Sequence, residues 1–397
     1  MKILVCNAGS TSLKFKLYDM PAEKLLCDAK IERVGSTNDA YYTYKNYLTG
    51  ESFRKDNLSV PDYKTGILGF IETMTSAENG VISNIEEVEC VGFKTVISKG
   101  HNGVCELTED VLQGMKDYIY IAEAHTNAYL GAISQFNEIL PSVLKIGVFE
   151  TSFHTTIPLE RSIYSVPYEW YEKYGIKKMG YHGASHSYIA KRSEMFGKTE
   201  KIISCHLGGS CSICAIENGK SVDTSFGFSL QTGVIHSSRC GNVDPYLVPF
   251  LLNEGMSLEE ITQGMSKKGG LLGVSGVSSD FIKVCEAADA GNERAKLAID
   301  AFATSVVRYI AEFYVELGGA DQIVFTGGIG EHSVEFRKNL VERLACLGIN
   351  LDEKKNNSVS EGVISTPESN VKICVIPTNE ELGIAMNAYA YANKNAK

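Results

Sequence analysis

The fold of this chain is decided by residues 3–18, which read ILVCNAGSTSLKFKLY. The apolar run 3–5 predicts a buried strand, and the alternation over 14–18 predicts a second strand because helical spacing is missing. The small residues 7–12 between them offer three hydroxyls and one amide, followed by the ammonium of Lys14. Such groups can hold phosphoryl oxygens and a hydrated metal. A Gly-Ser turn between strands is also ordinary hairpin chemistry, so both interpretations stay open at this point.

Length and composition narrow the class of protein. A chain of 397 residues is too long for one ordinary core and predicts two domains. The net charge of −10 and the lack of a basic block argue against a nucleic-acid surface. The 11 cysteines are an odd number, mostly inside apolar runs, which is typical of reduced thiols. Cys211 and Cys214 form a C-x-x-C without a second pair at zinc-site spacing, so we expect no metal there.

No secretory leader and no apolar run of membrane-spanning length is visible in the sequence. We therefore expect a cytoplasmic protein that has neither a membrane nor a nucleic acid as its partner.

A second glycine-rich turn lies in the other half of the chain. Residues 202–216 read IISCHLGGSCSICAI, again a strand, a small-residue turn and a strand. Apolar spacing near 3.6 predicts a long helix over 292–317, and 322–325 predict a buried strand. The glycines in 326–331 would let a nucleotide approach the backbone, although a strand-to-helix connection without a ligand explains them as well. The repeated pattern indicates two related halves.

Together these segments closely resemble the acetate kinase family, and the resemblance spans essentially the whole chain. Its strongest pieces are residues 7–14, 167–186, 220–226, 325–331 and 377–382. The resemblance implies an α/β fold of two ribonuclease-H-like, actin-like domains with a nucleotide cleft between them. We expect the first domain over 1–150, joined by a C-terminal helix of about 382–397. The second, nucleotide-binding and dimerisation domain would cover 151–381.

The resemblance also implies an activity, in which the γ-phosphoryl group of ATP passes to a short-chain carboxylate and gives an acyl phosphate and ADP. Mg²⁺, an adenine nucleotide and a homodimeric partner belong to that expectation, as does a place in fermentation or short-chain acid metabolism. Catalysis of this kind is mostly positioning and charge neutralisation.

Site residues follow by resemblance. Asn7 and Glu380 would order the metal and its waters, with Glu381 the weaker candidate. The expected catalytic residues are Lys94, His125, Glu150, His182 and Arg239. The residues expected to contact the nucleotide and its phosphates are Asn7, Ser10, Ser12, Lys14, His206, Gly208, Gly209, Ser210, Gly327, Gly328, Gly330 and His332.

Several positions depart from the family pattern. Lys94 replaces an arginine and Glu150 an aspartate, so a point charge and a longer carboxylate stand where a planar fork and a shorter one are usual. The pair compensates geometrically, or it marks lost catalysis. The usual Leu-Gly-Asn-Gly-Ser is Leu-Gly-Gly-Ser-Cys at 207–211, which removes an amide, and the usual Gly-Glu-Asn ends in His332.

The expected acyl pocket departs as well. Its expected residues are Lys94, Val96, Ala124, Tyr181 and Leu230. Ala124 stands where leucine is usual, Tyr181 where phenylalanine is usual, and Leu230 where proline is usual, and His236 follows nearby in the sequence. Lost bulk with an added phenol and imidazole predicts a roomier, more polar pocket and a larger or hydroxylated acid. Two alternatives remain: a catalytically weak nucleotide-binding or sensor protein, and a relative that uses pyrophosphate.

Overall fold

The computed structural model describes residues 1–121 and 123–395, with side chains outside 121–125 and 395. The chain forms two compact units. Unit 1 comprises Met1–Ser152 and the chain from Asn379 onward, and unit 2 comprises Phe153–Thr378.

The strands and helices of the described residues are as follows. The strands are β1 (Lys2–Gly9), β2 (Ser12–Asp19), β3 (Lys24–Glu32), β4 (Ser36–Asn46), β5 (Ser52–Val60), β6 (Val88–Thr95), β7 (Val104–Glu106), β8 (Leu144–Phe149), β9 (Lys201–Leu207), β10 (Cys211–Glu217), β11 (Lys220–Thr224), β12 (Gln322–Thr326), β13 (Gly362–Val363) and β14 (Lys372–Val375). The α-helices are α1 (Tyr63–Thr75), α2 (Glu109–Asp117), α3 (Glu123–Ile139), α4 (Leu159–Ser162), α5 (Tyr168–Tyr174), α6 (Gly183–Arg192), α7 (Leu247–Asn253), α8 (Leu258–Ser266), α9 (Gly270–Ser275), α10 (Phe281–Asp289), α11 (Glu293–Glu316), α12 (Gly327–His332), α13 (Val334–Arg343), α14 (Glu353–Ser358) and α15 (Glu380–Asn395).

The sheet of unit 1 has the order β5-β4-β3-β2-β1-β6-β8-β7 among the described strands. Strands β1 and β2 form the antiparallel hairpin predicted from residues 3–18, with Gly9 opposite Ser12. Strands β1, β6 and β8 run parallel. Carboxyl ends of parallel strands meet at one edge of a sheet. That edge therefore receives Asn7, Lys94 and Glu150.

The core of unit 1 is built on the apolar alternation of β2. Phe15 is buried and stacks on Phe70 of α1, with ring centroids 4.4 Å apart. Truncating such a buried ring to alanine typically costs about 3–5 kcal/mol of folding free energy. Helix α15 packs close to β6, where a Cβ added to Gly92 would lie 3.1 Å from Ile384 Cγ2.

The sheet of unit 2 has the order β11-β10-β9-β12-β14-β13 among the described strands. It begins as unit 1 does, because β9 and β10 form an antiparallel hairpin and β9 runs parallel to β12. The side chains of β9 alternate between two apolar clusters. Ile203, Cys205 and Leu207 face the cluster that contains α11, and Ile202 faces the cluster that contains Ile189 of α6.

Helix α11 follows the predicted periodicity closely. Its N-cap residue Asn292 accepts a hydrogen bond from the N–H of Ala295, which satisfies one of the first-turn donors. Its buried face includes Phe302, Val306 and Phe313. Among the described helices, none combines the length and the apolar character that crossing a bilayer requires.

Candidate functional site

The edge of the unit 1 sheet holds a compact charge cluster. Lys94 lies near the end of β6, and the backbone N–H of Glu150, just beyond β8, donates to Thr95 O at 2.8 Å. Glu380 opens α15. The Lys94 Nζ donates to Glu380 Oε2 at 2.7 Å and lies 2.9 Å from Glu150 Oε1. The elements thus bring three sequence-predicted residues together.

The protonation of Lys94 follows from these neighbours. Burial by itself would lower the pKa of Lys94, but the carboxylates of Glu150 and Glu380 raise it well above its usual range. Lys94 is therefore an ammonium at every physiological pH. Two carboxylates therefore flank this single ammonium.

The hairpin turn forms the second group on unit 1. Asn7 is half-buried, whereas Ser10 and Lys14 are exposed. The Tyr63 hydroxyl donates to Gly9 O at 2.7 Å and fixes the turn from the side of α1. Within the described part of the chain, the Lys14 ammonium makes no ion pair, which leaves it available to an anion. Ser12, Asn7 and Lys14 are positioned by the β1–β2 register.

The donor set suits a hydrated Mg²⁺ better than a fully protein-bound ion. Among the described residues, no group of three or more His, Cys, Asp or Glu could hold a metal. Mg²⁺ in phosphoryl-transfer sites keeps several waters and takes only one or two protein carboxylates beside phosphate oxygens. The amide of Asn7 and the carboxylate of Glu380 fit that chemistry.

Unit 2 places two histidines side by side. His182 precedes α6 with a left-handed backbone, φ +60°, which is uncommon for a residue other than glycine. Its ring lies 4.2 Å from that of His206 of β9, measured between centroids. His182 Nδ1 is hydrogen-bonded to Ser212 Oγ at 2.8 Å, and His206 Nδ1 to Ser185 Oγ at 2.8 Å. Each ring is thus held by a buried serine.

Arg239 lies in a loop of unit 2 and is anchored by its own chain. Its Nη1 donates to Leu230 O at 2.8 Å. Burial lowers the pKa of Arg239, but an arginine still keeps its charge at neutral pH. A half-buried guanidinium with one anchored nitrogen has further N–H donors to offer an anion.

In the glycine-rich turn after β12, the main chain passes close to the main chain of β9. Gly327 has φ +76°, and a Cβ added there would lie 2.7 Å from Leu207 O, so only glycine fits. Its N–H donates to Glu331 Oε1 at 2.8 Å, and the same oxygen accepts from Thr378 N at 3.0 Å. Gly328 has nothing within 4 Å of an added Cβ.

Two residues that support this turn were missed as site residues. Arg337, which is 1% exposed, donates to Gly330 O at 2.9 Å and to Glu331 O at 2.7 Å. It also binds Asn356. Glu331 carries a weak signal in its place at the end of the glycine run, but Arg337 has none, because an arginine in an amphipathic helix ordinarily faces solvent.

The remaining phosphate-turn candidates differ in exposure. Gly209 is exposed and Gly208 half-buried in the β9–β10 turn. Within the described residues, the buried Ser210 Oγ has no hydrogen-bond partner. The His332 side chain is 82% exposed.

Two polar side chains of the predicted acyl pocket, Tyr181 and His236, are hydrogen-bonded to the main chain. Tyr181 is fully buried and its hydroxyl donates to Phe228 O at 2.7 Å. His236 is also fully buried: its Nδ1 accepts from Cys211 N at 3.0 Å, so its Nε2–H donates to Thr232 O at 3.1 Å. Burial lowers the pKa of His236 to about 3. Both polar groups therefore serve the main chain of unit 2.

The other predicted pocket residues are less informative. Val96 is buried beyond the end of β6, and Leu230 is half-buried. Ala124 and His125 belong to residues 121–125, whose side chains lie outside the described part of the structure.

Comparison with known proteins places the whole chain in one family. Residues 2–386 match the model of the acetokinase family. The acetate kinase of Methanosarcina mazei is 43% identical over 392 residues, which is 97% of this chain and 95% of that protein. The acetate kinase of Halothermothrix orenii is 40% identical over 97% of this chain and 98% of its own length.

Solved structures agree with the sequence relatives. The crystal structure of Porphyromonas gingivalis acetate kinase matches with a TM-score of 0.87 at 33% identity, covering 98% of this chain and 99% of that one. A propionate kinase from Francisella tularensis matches with a TM-score of 0.88, also at 33% identity and with the same coverage. The predicted two-domain, actin-like α/β fold is confirmed. The chain belongs to the acetokinase family and is a carboxylate kinase.

Proposed function

We propose that this enzyme transfers the γ-phosphoryl group of ATP to a short-chain carboxylate, giving an acyl phosphate and ADP. The observation that carries the proposal is the full-length similarity to kinases named for acetate and for propionate. The charge-handling side chains at the predicted positions support it, because phosphoryl transfer depends mainly on positioning and charge neutralisation.

The residues of unit 2 act on the nucleotide and the transferring group. The glycine turn around Gly327 lets the nucleotide approach the backbone closely. The guanidinium of Arg239 neutralises charge that spreads over the phosphoryl oxygens, and His182 donates a hydrogen bond to them. When bound, Mg²⁺ would neutralise charge on the phosphate oxygens, held by Asn7 and Glu380.

The residues of unit 1 act on the acid. Lys94 binds the substrate carboxylate, since its ammonium carries three N–H donors. Glu150 is 2.9 Å from Lys94 and orients the ammonium. It does not act as a base, because an ionised carboxylate attacks phosphorus without losing a proton. We propose two roles for Glu380: it orients Lys94 through their 2.7 Å contact, and it would hold the metal when Mg²⁺ is bound.

The acid is a short unbranched one. Tyr181 and His236, whose polarity favoured a hydroxylated substrate, are both fully buried and donate to main-chain carbonyls, so neither supports a hydroxylated acid. The sequence has alanine at position 124 where the family usually has leucine, and the smaller residue supports an acid one methylene longer than acetate. We therefore propose acetate and propionate as the preferred pair. An added methylene in an apolar pocket is worth about 1–3 kcal/mol.

Trapping with hydroxylamine tests donor and acid together. The purified enzyme is incubated with Mg²⁺, with ATP or pyrophosphate as donor, and with acetate, propionate, butyrate, glycolate, lactate or glycerate. We expect hydroxamate with ATP, led by acetate or propionate. A hydroxy acid leading the series would contradict the assigned acid, and product with pyrophosphate alone would contradict the assigned donor. Silence across the series, with ATP binding measured, would favour a nucleotide sensor.

Two further properties belong to the proposal. We propose that unit 2 carries the contacts of a homodimer, and that the enzyme works in the cytoplasm. Sedimentation of the purified protein tests the first.

A further inference from the structure

A chain of buried hydrogen bonds backs His182 inside unit 2. His182 Nδ1 is 2.8 Å from Ser212 Oγ, which is 2.8 Å from His186 Nε2. His186 Nδ1 is 2.9 Å from Ser204 Oγ. Ser204, Ser212 and His186 are fully buried. We name this set, His182–Ser212–His186–Ser204, the His182 relay.

The sequence dictates that these side chains meet. His182 and His186 are four residues apart at the start of α6, so they lie on one face of the helix. Ser204 shares the face of β9 that Ile202 presents to α6, since alternate strand residues point the same way. In the β9–β10 register Ser204 pairs with Cys214, which places Ser212 one pleat along the same face.

Counting protons restricts the relay to two arrangements. Burial lowers the pKa of His186 well below 6.5, so this ring is neutral and carries one N–H. The Ser212 hydroxyl has a single hydrogen but contacts two ring nitrogens. Among the described residues these two nitrogens are its only hydrogen-bond partners, so accepting from both would leave its buried hydrogen without an acceptor. It therefore donates to one of them and accepts from the other. The protons on His182 Nδ1 and His186 Nε2 therefore exclude each other.

Ser204 decides between the two arrangements. If His182 Nδ1 held the proton, Ser212 would donate to His186 Nε2, and His186 Nδ1–H would donate to Ser204. The Ser204 hydrogen would then be buried without an acceptor, because His186 is its sole hydrogen-bond partner among the described residues. In the opposite order, Ser204 donates to His186, His186 to Ser212, and Ser212 to His182 Nδ1. Every buried hydrogen is then satisfied, which is the less costly state.

We propose that Ser212, backed by His186 and Ser204, is a positioning residue that holds neutral His182 as the Nε2–H tautomer. The catalytic consequence rests on the proposed function: His182 then presents a donor, and not a lone pair, to phosphoryl oxygens. The hydrogen bond at one imidazole nitrogen commonly sets the tautomer at the other. A wrong tautomer in an intact site can be nearly as damaging as a lost residue.

Nitrogen-15 NMR of histidine-labelled full-length enzyme tests the tautomer without relying on turnover. The His182 signals are assigned with His182→Gln. In the wild type we expect a protonated Nε2 and an unprotonated Nδ1. In Ser212→Ala we expect a mixture of tautomers, because the hydroxyl donor is gone. A wild-type His182 protonated at Nδ1, or an unchanged tautomer in Ser212→Ala, overturns the proposal.

Kinetics test the consequence. Ser212→Ala is expected to lower kcat roughly tenfold while KM for ATP and for the acid changes less than about twofold, since the group acts on the orientation of His182 and not on binding. Ser212→Thr, which keeps the hydroxyl, is expected to restore both the tautomer and kcat.

Ser221→Ala is the matched control, because Ser221 is also fully buried but is bonded to His154 Nδ1 at 2.8 Å. A kcat loss equal to that of Ser212→Ala would reduce the effect to general packing and contradict the relay. If the wild type makes no acyl phosphate, the proposed function fails while the NMR result still decides the tautomer.

Discussion

Among single residues, Lys94 is the most informative departure from the family pattern, which has arginine there. An ammonium lacks the planar fork of an arginine, and its point charge can be reached by a longer carboxylate. Glu150 supplies that extra reach and stands 2.9 Å from Lys94. The two departures from the family pattern are therefore linked by a contact, which favours compensation over decay.

A double-mutant cycle tests this compensation. Lys94→Arg alone is expected to lower kcat/KM for the acid about tenfold, because the larger guanidinium meets a carboxylate one methylene too long. Lys94→Arg with Glu150→Asp is expected to recover most of the loss, since residues in contact couple by about 0.5–3 kcal/mol. Steady-state kinetics of the four proteins with ATP and acetate measures it. Losses that simply add would show that the positions changed independently.

Arg239 is predicted to contribute to the rate of phosphoryl transfer but little to nucleotide affinity. Arg239→Ala should reduce kcat about 100- to 1,000-fold, as removal of one transition-state donor typically does. ADP affinity, measured by calorimetry, should change little. Arg343→Ala is the matched control, because it removes an arginine whose Nη2 is paired with Asp300 Oδ1 at 2.6 Å outside the site. Unchanged turnover of Arg239→Ala would remove Arg239 from the mechanism.

For single residues, the sequence indicated which positions carry charged or polar candidates, but it did not indicate which atoms those side chains contact. The sequence named Lys94, Glu150 and Glu380 individually as site candidates, and their mutual contacts are seen only in the structure. The burial of the Tyr181 hydroxyl and the buried place of Arg337 were not predicted, because neither a type of side chain nor its spacing reveals which main-chain carbonyl it will meet.

Among the elements, the two hairpins were the most predictable. Each reads as alternating residues around small turn residues, and the structure confirms both pairings. Helix α11 was equally clear from its period. The brief strands β7 and β13 left no pattern, since two or three residues cannot display a period.

The turn that opens α12 yields a prediction about stability. Gly327→Ala is expected to destabilise the protein by about 1–3 kcal/mol, because the new Cβ meets a main-chain oxygen and φ is positive. Gly328→Ala is the matched comparison, since its Cβ would enter open space. Thermal unfolding distinguishes them: the midpoint should fall for the first and stay within about 1 °C for the second. Equal midpoints would refute the close packing of Gly327 against Leu207.

For the whole molecule, buried neutral histidines set the acid limit of stability. Burial lowers the pKa of His154 to about 4 and that of His236 to about 3, and His186 is shifted in the same direction. The unfolded chain takes up a proton near pH 6.5 at each of these positions, but the folded chain does not. Above that pH the rings are neutral in both states, so burying them costs no stability. Below it only the unfolded chain binds the protons, so the free energy of unfolding falls as the pH drops.

The size of this effect can be measured. When the pH falls from 7 to 5, each of these histidines is expected to lower the free energy of unfolding by about 2 kcal/mol. Urea unfolding of the full chain at several pH values measures the slope. His154→Gln should flatten it, because glutamine takes up no proton in the unfolded state. A slope that His154→Gln leaves unchanged would contradict the burial of a neutral ring.

For the whole molecule, the family resemblance predicted the activity, which the pattern of residue types alone did not. Periodicity indicated single strands, a long helix and two related halves, and the shared strand order of the two sheets agrees with the related halves. The α/β fold class came from the resemblance. The activity came from the family pattern, because a glycine turn and a lysine can serve many phosphate sites. Which acid fits depends on side-chain placement, and so on the folded chain.

The measurement that tests the central claim most directly follows the oxygen atoms. The enzyme is given ATP, Mg²⁺ and acetate labelled with ¹⁸O in both carboxylate oxygens, and hydroxylamine cleaves the acyl phosphate at its carbonyl carbon. Attack of the carboxylate on the γ-phosphorus leaves a labelled oxygen bound to phosphorus. We predict inorganic phosphate carrying one ¹⁸O, seen by ³¹P NMR in an amount equal to the hydroxamate. Unlabelled phosphate without hydroxamate would mean that water attacks the nucleotide, and would contradict a carboxylate kinase.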